Sequence, residues 1–331
     1  MNNTDLNNEN NMTVDLSIVI VSWNTKELLK NCIQSVINET VKYSYEIIVV
    51  DNNSPDKSAD MVKELFPNVK LIANNINNGF APANNQGIKI SVGKNILLLN
   101  PDTIIINNAI DKMIDYLYLH KNEKIGIITC KLLNDDMTLQ KSVNDFFNIW
   151  RSFFENRLFA DLFSKLNTKK SFMTFWDHSE TREIDWAYGA VLLYTREVAD
   201  KVGMLDDRFW IYAEEMDFYI RVKRAGYKAI FLHDVEIIHY GKSSSRQRRA
   251  EMFIQNYKSF YLFLKKHYSY SVYLTYRIRT YIYMILWILK FSLSFVFHKL
   301  TGKPTDEDSN QIGIYFKTFL WHFKRDSFVK L

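Results

Sequence analysis

Cysteine is scarce in this chain. Cys32 and Cys130 are the only two among 331 residues, too few for a disulfide framework, and no Cys/His cluster has the spacing of a zinc site. A reducing compartment follows. Ten glycines and five prolines fall below the average usage of roughly 7% and 5%, which excludes collagen-like and Pro/Gly-rich disordered classes. No G-x-G-x-x-G follows the first apolar run and no P-loop occurs, so a dinucleotide would lack its usual close backbone approach. The N-terminus has no apolar signal-peptide core. Residues 1–14 are polar, with six asparagines among the first 11, and read as a disordered leader.

What the chain does contain is apolar and aromatic. Hydrophobic residues make up 47% and charged residues 24%, an ordinary globular balance. The net charge of +5 is unevenly spread. Residues 1–240 carry 26 Lys+Arg against 32 Asp+Glu, a net of −6, whereas residues 241–331 carry 16 against 5, a net of +11. A basic segment rich in Tyr, Phe, Ile and Leu favours an anionic partner, and its interleaved aliphatics favour a membrane surface over nucleic acid.

Up to residue 130, β-branched apolar runs alternate with stretches of helical spacing. Strands are predicted at 16–22, 46–50, 69–73, 95–99 and 125–130. Helices are predicted at 26–37, 56–66, 81–92 and 107–120, for example from Ala59, Val62, Leu65 and Phe66. This alternation predicts an α/β fold with a mostly parallel sheet and helices on both faces. Residues 142–182 break the rhythm and read as helices and a loop outside the sheet. Strand-like segments return at 184–194 and 228–240, with a helix over 214–225, and the chain after about 245 reads as helical. A domain over 15–245 and a helical region over 246–331 follow.

In open parallel sheets ligands bind beyond the carboxyl ends of the strands. Those ends carry Ser22-Trp23-Asn24, Asp51-Asn52-Asn53-Ser54, Asn74 to Gly79, and Asn100-Pro101-Asp102. Asp51 suits hydrogen bonds from a ribose or base, or an Asx-turn. Asp102 suits a divalent cation that also holds phosphates, or a turn. Glu214, Glu215 and Asp217 crowd a helix start, where acids are favoured by the dipole. Asp217 and Arg221 are spaced to pair at i, i+4, while one of the acids could serve as a general base. His239 ends a strand and could join Asp102 at a cation. The run from Lys242 to Arg249 could grip a diphosphate or be a solvated loop.

Taken together, SIVIVSWN, IIVVDNNSPD, NNINNGFAPANNQG, LLLNPDT, DWAYGAVLLYTRE, VGMLDDRFWIYAEEMDFYIRVKRAGY and IIHYGKSS resemble, in order, the motifs of family 2 inverting glycosyltransferases of the GT-A fold, in their rhamnosyltransferase-like branch. The resemblance covers residues 15–245. It implies a metal-dependent transferase that moves a sugar, rhamnose from dTDP-rhamnose, from a nucleotide donor to a hydroxyl of a glycan or polyprenyl-linked acceptor in cell-surface polysaccharide synthesis. Another nucleotide sugar such as a UDP-sugar is the alternative donor. A sugar nucleotidyltransferase is the alternative reaction, although SWNTKELLK lacks that class's Gly-rich, Arg-containing phosphate loop.

The resemblance also implies residue roles. Donor contacts fall on Ser22, Asn24, Asp51, Asn53, Asn78, Gly79, Asn84, Asn100, Asp102, Trp186, Gly189 and Arg248. Acceptor contacts fall on Trp186 and Asp217. Asp102 and His239 hold Mg²⁺ or Mn²⁺, and Glu215 is the base with Glu214 beside it. The broad family carries D-x-D at the metal motif, where this chain has Asn100, and often has Asp in the base slot that Glu215 fills.

In the C-terminal region ten uncharged residues, TYIYMILWIL, lie between Arg279 and Lys290. Arg279, Tyr283, Lys290 and Ser294 fall on one helical stripe amid apolar and aromatic positions. This predicts a helix lying in the membrane interface, with a second such element at 312–325. A helical subdomain packed on itself or in a dimer is one alternative, and a true membrane span is the other. The enzyme would then sit in the cytoplasm, peripherally on the inner face of the cell membrane.

Overall fold

In the computed structural model the described residues are 14–149, 176–241, 249–324 and 327. They fall into two compact units, one within Met1–Trp210 and Glu214–Ser244, the other within Ile211–Ala213 and Ser245–Leu331.

The first unit runs β1 (Val14–Ser22), α1 (Lys26–Glu39), β2 (Tyr45–Asp51), α2 (Ser58–Leu65), β3 (Lys70–Ala73), α3 (Phe80–Ile90), β4 (Gly93–Leu99), β5 (Thr103–Ile105) and α4 (Ala109–Leu119). It continues with β6 (Ile125–Leu133), β7 (Leu139–Gln140), β8 (Val143–Asn144), β9 (Arg182–Glu183), β10 (Trp186–Ala187), β11 (Val191–Thr195), α5 (Arg196–Val202), α6 (Glu214–Arg224) and β12 (Lys228–His239). The main sheet has the order β3-β2-β1-β4-β11-β6-β12-β5, with β7 and β9 at its margins. β1, β2, β3 and β4 are parallel. β11 runs antiparallel to both β4 and β6, so β6, and β12 parallel to it, point the same way as β4. The carboxyl ends of β1, β2, β4 and β12 therefore share one edge.

Side chains alternate across each strand, and both faces are covered. Ile18, Ile20 and Leu97 pack under Leu29, Ile33, Ile110 and Met113 on one side. Val19, Ile48 and Leu98 pack under Ile88, Val198 and Phe218 on the other. Each such buried aliphatic contributes about 1.5–3 kcal/mol relative to exposure, which is why these runs read as uninterrupted apolar sequence.

Three expectations change. The 184–194 segment is divided: Trp186–Ala187 pairs with Val143–Asn144 in a separate two-stranded sheet, and only Val191–Thr195 joins the main sheet, against the direction of its neighbours. An antiparallel insertion needs no helical crossover, so helix alternation could not reveal it. β4 starts at Gly93, two residues ahead of the expected 95–99, and the three-residue β5 is too short to show a pattern in the sequence. The leader's bound also shifts, because Val14 already belongs to β1; residues 1–13 and 150–175 lie outside the described set.

The second unit contains α7 (Arg249–His267), α8 (Tyr270–Leu300) and α9 (Asp306–Trp321). Tyr261, Phe263, Tyr273, Met284 and Trp321 are buried in it. Arg277 is also buried, donating to the Tyr273 hydroxyl and to the carbonyls of His322 and Ser327. His322 directs its Nδ1–H at the Thr318 carbonyl and its Nε2 at the Tyr261 hydroxyl, and burial pushes its pKa down to about 4. The segment that follows α9 is thus tied to α8 at Arg277 and to α7 at Tyr261 by polar bonds inside an aromatic cluster.

Candidate active site

The ends of β1 and β2 are in register, Ser22 opposite Asp51. Ser22 is buried and spends its hydroxyl on Thr25, 3.0 Å away. Asn24 and Asn53 are both left-handed, at φ 55 and 61, conformations that Asn tolerates. The Asn24 amide donates to Ser54 Oγ at 2.9 Å, and the Lys26 amide to Asp56 Oδ2 at 2.8 Å. These bonds tie the two loops together. Asp51 is 3% exposed. Its Oδ2 accepts the Ser54 amide at 2.9 Å, the Asx-turn anticipated above, but its buried Oδ1 has no hydrogen-bond partner among the described residues.

The asparagine-rich loop is built as a polar lattice. Asn52 donates to the Gly79 carbonyl at 2.9 Å and accepts from Asn74, which also bonds Gln86. Gly79 has φ +91, and a Cβ there would lie 2.4 Å from the Trp210 carbonyl oxygen. The Phe80 amide donates to that same carbonyl. Only glycine fits, and the contact brings the Trp210 loop onto this one. Asn78 is half-buried. Asn84 is buried and bonds the Phe80 carbonyl within its own helix, so its side chain is used locally. Its neighbour Asn85 holds the backbone of Leu205 through both amide atoms.

At the end of β4, Asn100 donates its backbone amide to the Ala190 carbonyl. β5 then turns back against β12, pairing Thr103 with His239. That register places Asp102 beside His239, with Oδ1 3.3 Å from Nε2, and Asn100 Nδ2 3.4 Å from the same nitrogen. The far nitrogen, Nδ1, lies 2.6 Å from Gln140 Oε1. Among the described residues no group of three or more His, Cys, Asp or Glu is placed to hold a metal ion. A cation at this point would have Asp102 and His239 as protein ligands, with ligand or water oxygens filling the shell. The donor set fits: an imidazole nitrogen and a carboxylate oxygen converge at the sheet edge.

Glu214 and Glu215 open α6, preceded by left-handed Tyr212 and Ala213 at φ 69 and 65. Glu214 is buried, its Oε2 without a hydrogen-bond partner among the described residues, and burial, reinforced by the charge of Glu215, raises its pKa well above the usual carboxylate value. Glu215 is half-buried, and a Cβ on Gly189 would sit 3.5 Å from its Cβ. Tyr188 is close enough that burial and the Glu215 charge raise its phenol pKa. Trp186 donates its indole N–H to the Asp145 carbonyl and lies 5.9 Å from the Tyr188 ring.

The assignment of Asp217 to the acceptor is corrected. Its carboxylate is fully buried and held by Arg221 at 2.8 Å, the i, i+4 pair, while Arg221 also bonds the Val202 and Met204 carbonyls. Arg248 lies outside the described residues, as does most of the Lys242–Arg249 run. Gln140, Asn52, Asn74, Asn85 and Tyr188 were missed. The asparagines sat inside the singled-out loops, but nothing in the sequence marks Gln140, whose role depends on a hairpin return.

Known proteins place this arrangement. The sequence model of glycosyl transferase family 2 matches residues 17–185, half of the chain, and the protein belongs to that family. It is 26% identical over 254 residues to the low-salt glycan biosynthesis hexosyltransferase Agl10 of Haloferax volcanii, covering 75% of this chain and 74% of that one. It is 22% identical over 269 residues to the N-acetylglucosaminyl-diphospho-decaprenol L-rhamnosyltransferase of Mycobacterium tuberculosis, covering 78% and 86%. A 120-residue stretch is 32% identical to the minor teichoic acid biosynthesis protein GgaB of Bacillus subtilis; it covers 35% of this chain but only 13% of that far longer protein. The crystal structure of GalNAc-T7 with UDP, GalNAc and Mn²⁺ superposes with a TM-score of 0.50 at 17% identity, over 68% of this chain and 43% of that one. The fold is GT-A.

Proposed function

We propose that this transferase moves a hexose, rhamnose from dTDP-rhamnose by the motif resemblance and a UDP-linked sugar as the alternative, onto a hydroxyl of a polyprenyl-linked or glycan acceptor during cell-surface glycan synthesis, with inversion at the anomeric carbon. The relatives' names point to this class of product. The observation that supports the donor site best is Asp51. A buried acceptor atom left unsatisfied costs roughly 1–3 kcal/mol, and a ribose hydroxyl or base N–H arriving at the carboxyl end of β2 would remove that cost. Asp51→Ala should therefore weaken dTDP or UDP binding in calorimetry without lowering the melting temperature. Unchanged affinity would remove Asp51 from the site.

On this reading the donor's diphosphate lies at Asp102 and His239. A divalent cation held there would supply positive charge to the leaving diphosphate. Glu215 takes the proton of the acceptor hydroxyl as that oxygen attacks, and the Trp186–Tyr188 surface beside Gly189 positions the acceptor against it. Burial and the charge of Glu215 raise the pKa of Glu214, which favours its neutral form and leaves the base role to Glu215.

The reading also places the enzyme on the cytoplasmic face of the membrane. α8 is long and apolar enough to cross a bilayer by length and composition, and only 11% of its apolar window is buried. Ile278, Ile282, Ile285, Leu289, Leu293 and Phe297 are exposed along it. Beside them Arg279 lies 4.4 Å from the Tyr283 ring centroid and Lys290 4.5 Å from that of Trp287, an amphipathic edge suited to the headgroup level. Each basic residue near an anionic surface adds about 1 kcal/mol. In co-sedimentation the full chain should bind anionic liposomes, with high salt weakening the binding without abolishing it. A chain that ignores neutral and anionic vesicles alike would make this face a packing or dimerisation surface.

A further inference from the structure

The cation reading leaves open how an imidazole is made to present a lone pair to the cation rather than an N–H. We infer that Gln140, a residue with no signal in the sequence, is the positioning residue that fixes the tautomer and orientation of His239. The inference rests on the assignment of Asp102 and His239 as the cation ligands.

The hairpin after β6 supplies the geometry. Its turn is closed by the Asn134 amide donating to the Thr138 carbonyl at 2.8 Å and by Asn134 Nδ2 donating to the Thr138 hydroxyl at 2.9 Å. The return strand pairs Gln140 with Leu132 on β6. The same end of β6 pairs with β12, Leu132 and Leu133 beside Ile237 and Ile238, and the side chain of Gln140 meets His239, the last residue of β12.

There the amide has three assigned bonds. Nε2 donates to the His239 carbonyl at 3.1 Å and to Asn134 Oδ1 at 3.0 Å. Both partners are oxygens. Turning the amide over would set its own oxygen against the His239 carbonyl and forfeit that bond, so Oε1 must face the ring. An amide oxygen can only accept. Nδ1 of His239, 2.6 Å away, must therefore carry the hydrogen. In the neutral ring this leaves Nε2 with its lone pair, facing Asp102 Oδ1 and, 3.4 Å away, the Asn100 amide nitrogen, a donor that a deprotonated Nε2 can accept from. Two lone pairs 3.3 Å apart repel, and a cation bound by both turns that repulsion into ligation. The same bond polarises the ring and makes Nε2 the better donor. Gln140 also holds the His239 backbone through its carbonyl, so position and tautomer are set by one side chain.

Removing such a partner typically costs ~10–100-fold in metal affinity. The test measures Mn²⁺ binding by electron paramagnetic resonance, in the presence of dTDP or UDP, on full-length wild type, Gln140→Leu, His239→Ala and the double variant, each checked for an unchanged circular dichroism spectrum and melt. Gln140→Leu should lose ~10–100-fold in Mn²⁺ affinity while its affinity for nucleotide alone is unchanged. In the His239→Ala background the same substitution should cost nothing more, because its effect passes through the imidazole. A disturbed hairpin acting by any other route would add its loss in both backgrounds, and that result overturns the inference. So does a wild-type Mn²⁺ affinity in Gln140→Leu. If Gln140→Leu does not fold, Gln140→Glu, which keeps an acceptor oxygen for Nδ1–H, must bind Mn²⁺ far better than His239→Ala, or the inference falls. A wild type that binds no Mn²⁺ with either nucleotide would instead refute the underlying assignment of Asp102 and His239, a distinguishable failure.

Discussion

Glu215→Gln is expected to lower the rate of sugar transfer by ~10²–10⁴-fold, the usual effect of losing a general base, with donor affinity and fold unchanged. The substitution keeps shape and size and removes only the proton acceptor. Two observations select Glu215 over its neighbour. It is half-buried beside Gly189 and Tyr188, within reach of an incoming hydroxyl, whereas Glu214 is buried and has its pKa driven up by that burial and by Glu215 itself. The raised pKa of Glu214 favours its protonated form, which has no vacancy for a proton from the acceptor. Glu214→Gln, which mimics the protonated form, should therefore be the milder change. Single-turnover kinetics on both variants decide: a dead Glu214→Gln beside a nearly normal Glu215→Gln would reverse the assignment.

Asp102→Ala is the second large effect. A bound cation stabilises charge on a leaving group by several kcal/mol, and each ~1.4 kcal/mol is tenfold in rate, so turnover should fall by at least about 10²-fold. Chelator should silence the wild type, and Mg²⁺ or Mn²⁺ should restore it, while neither addition rescues Asp102→Ala. Full wild-type turnover in chelator would shift the role to the basic run from Lys242 to Arg249. Asp51→Ala, by contrast, should weaken nucleotide binding in the presence or absence of cation, so the two carboxylates are separable by one titration.

The sheet was legible because a strand buried on both faces is apolar along its length: Ile18 to Val21 and Ile47 to Val50 are buried, uninterrupted apolar runs with stretches of helical periodicity between them. The polar strand ends were legible for the same reason, since Asp51 and Asp102 interrupt apolar runs at the edge where ligands bind. What was not legible depends on contacts between distant segments. The antiparallel β11 joins the sheet without a helical crossover, and the i, i+4 pairing of Asp217 with Arg221 was legible while its complete burial was not, because that arises only once α6 is packed. Gln140 is the plainest case. It is an unremarkable residue in a polar stretch, and its meaning arises from a hairpin that carries it back to a histidine 99 positions away.

The central claim, transfer of a sugar from a nucleotide donor, is tested most directly by incubating the full-length protein with a panel of nucleotide sugars and a polyprenyl-diphosphate-linked acceptor, with Mg²⁺ or Mn²⁺, and quantifying nucleoside diphosphate. One donor should yield nucleoside diphosphate in step with glycosylated acceptor, the new linkage having the anomeric configuration opposite to the donor's, and Asp102→Ala and Glu215→Gln should both suppress it. Release of inorganic diphosphate from a nucleoside triphosphate and a sugar 1-phosphate, with no product from any nucleotide sugar, would contradict the claim and make the protein a nucleotidyltransferase.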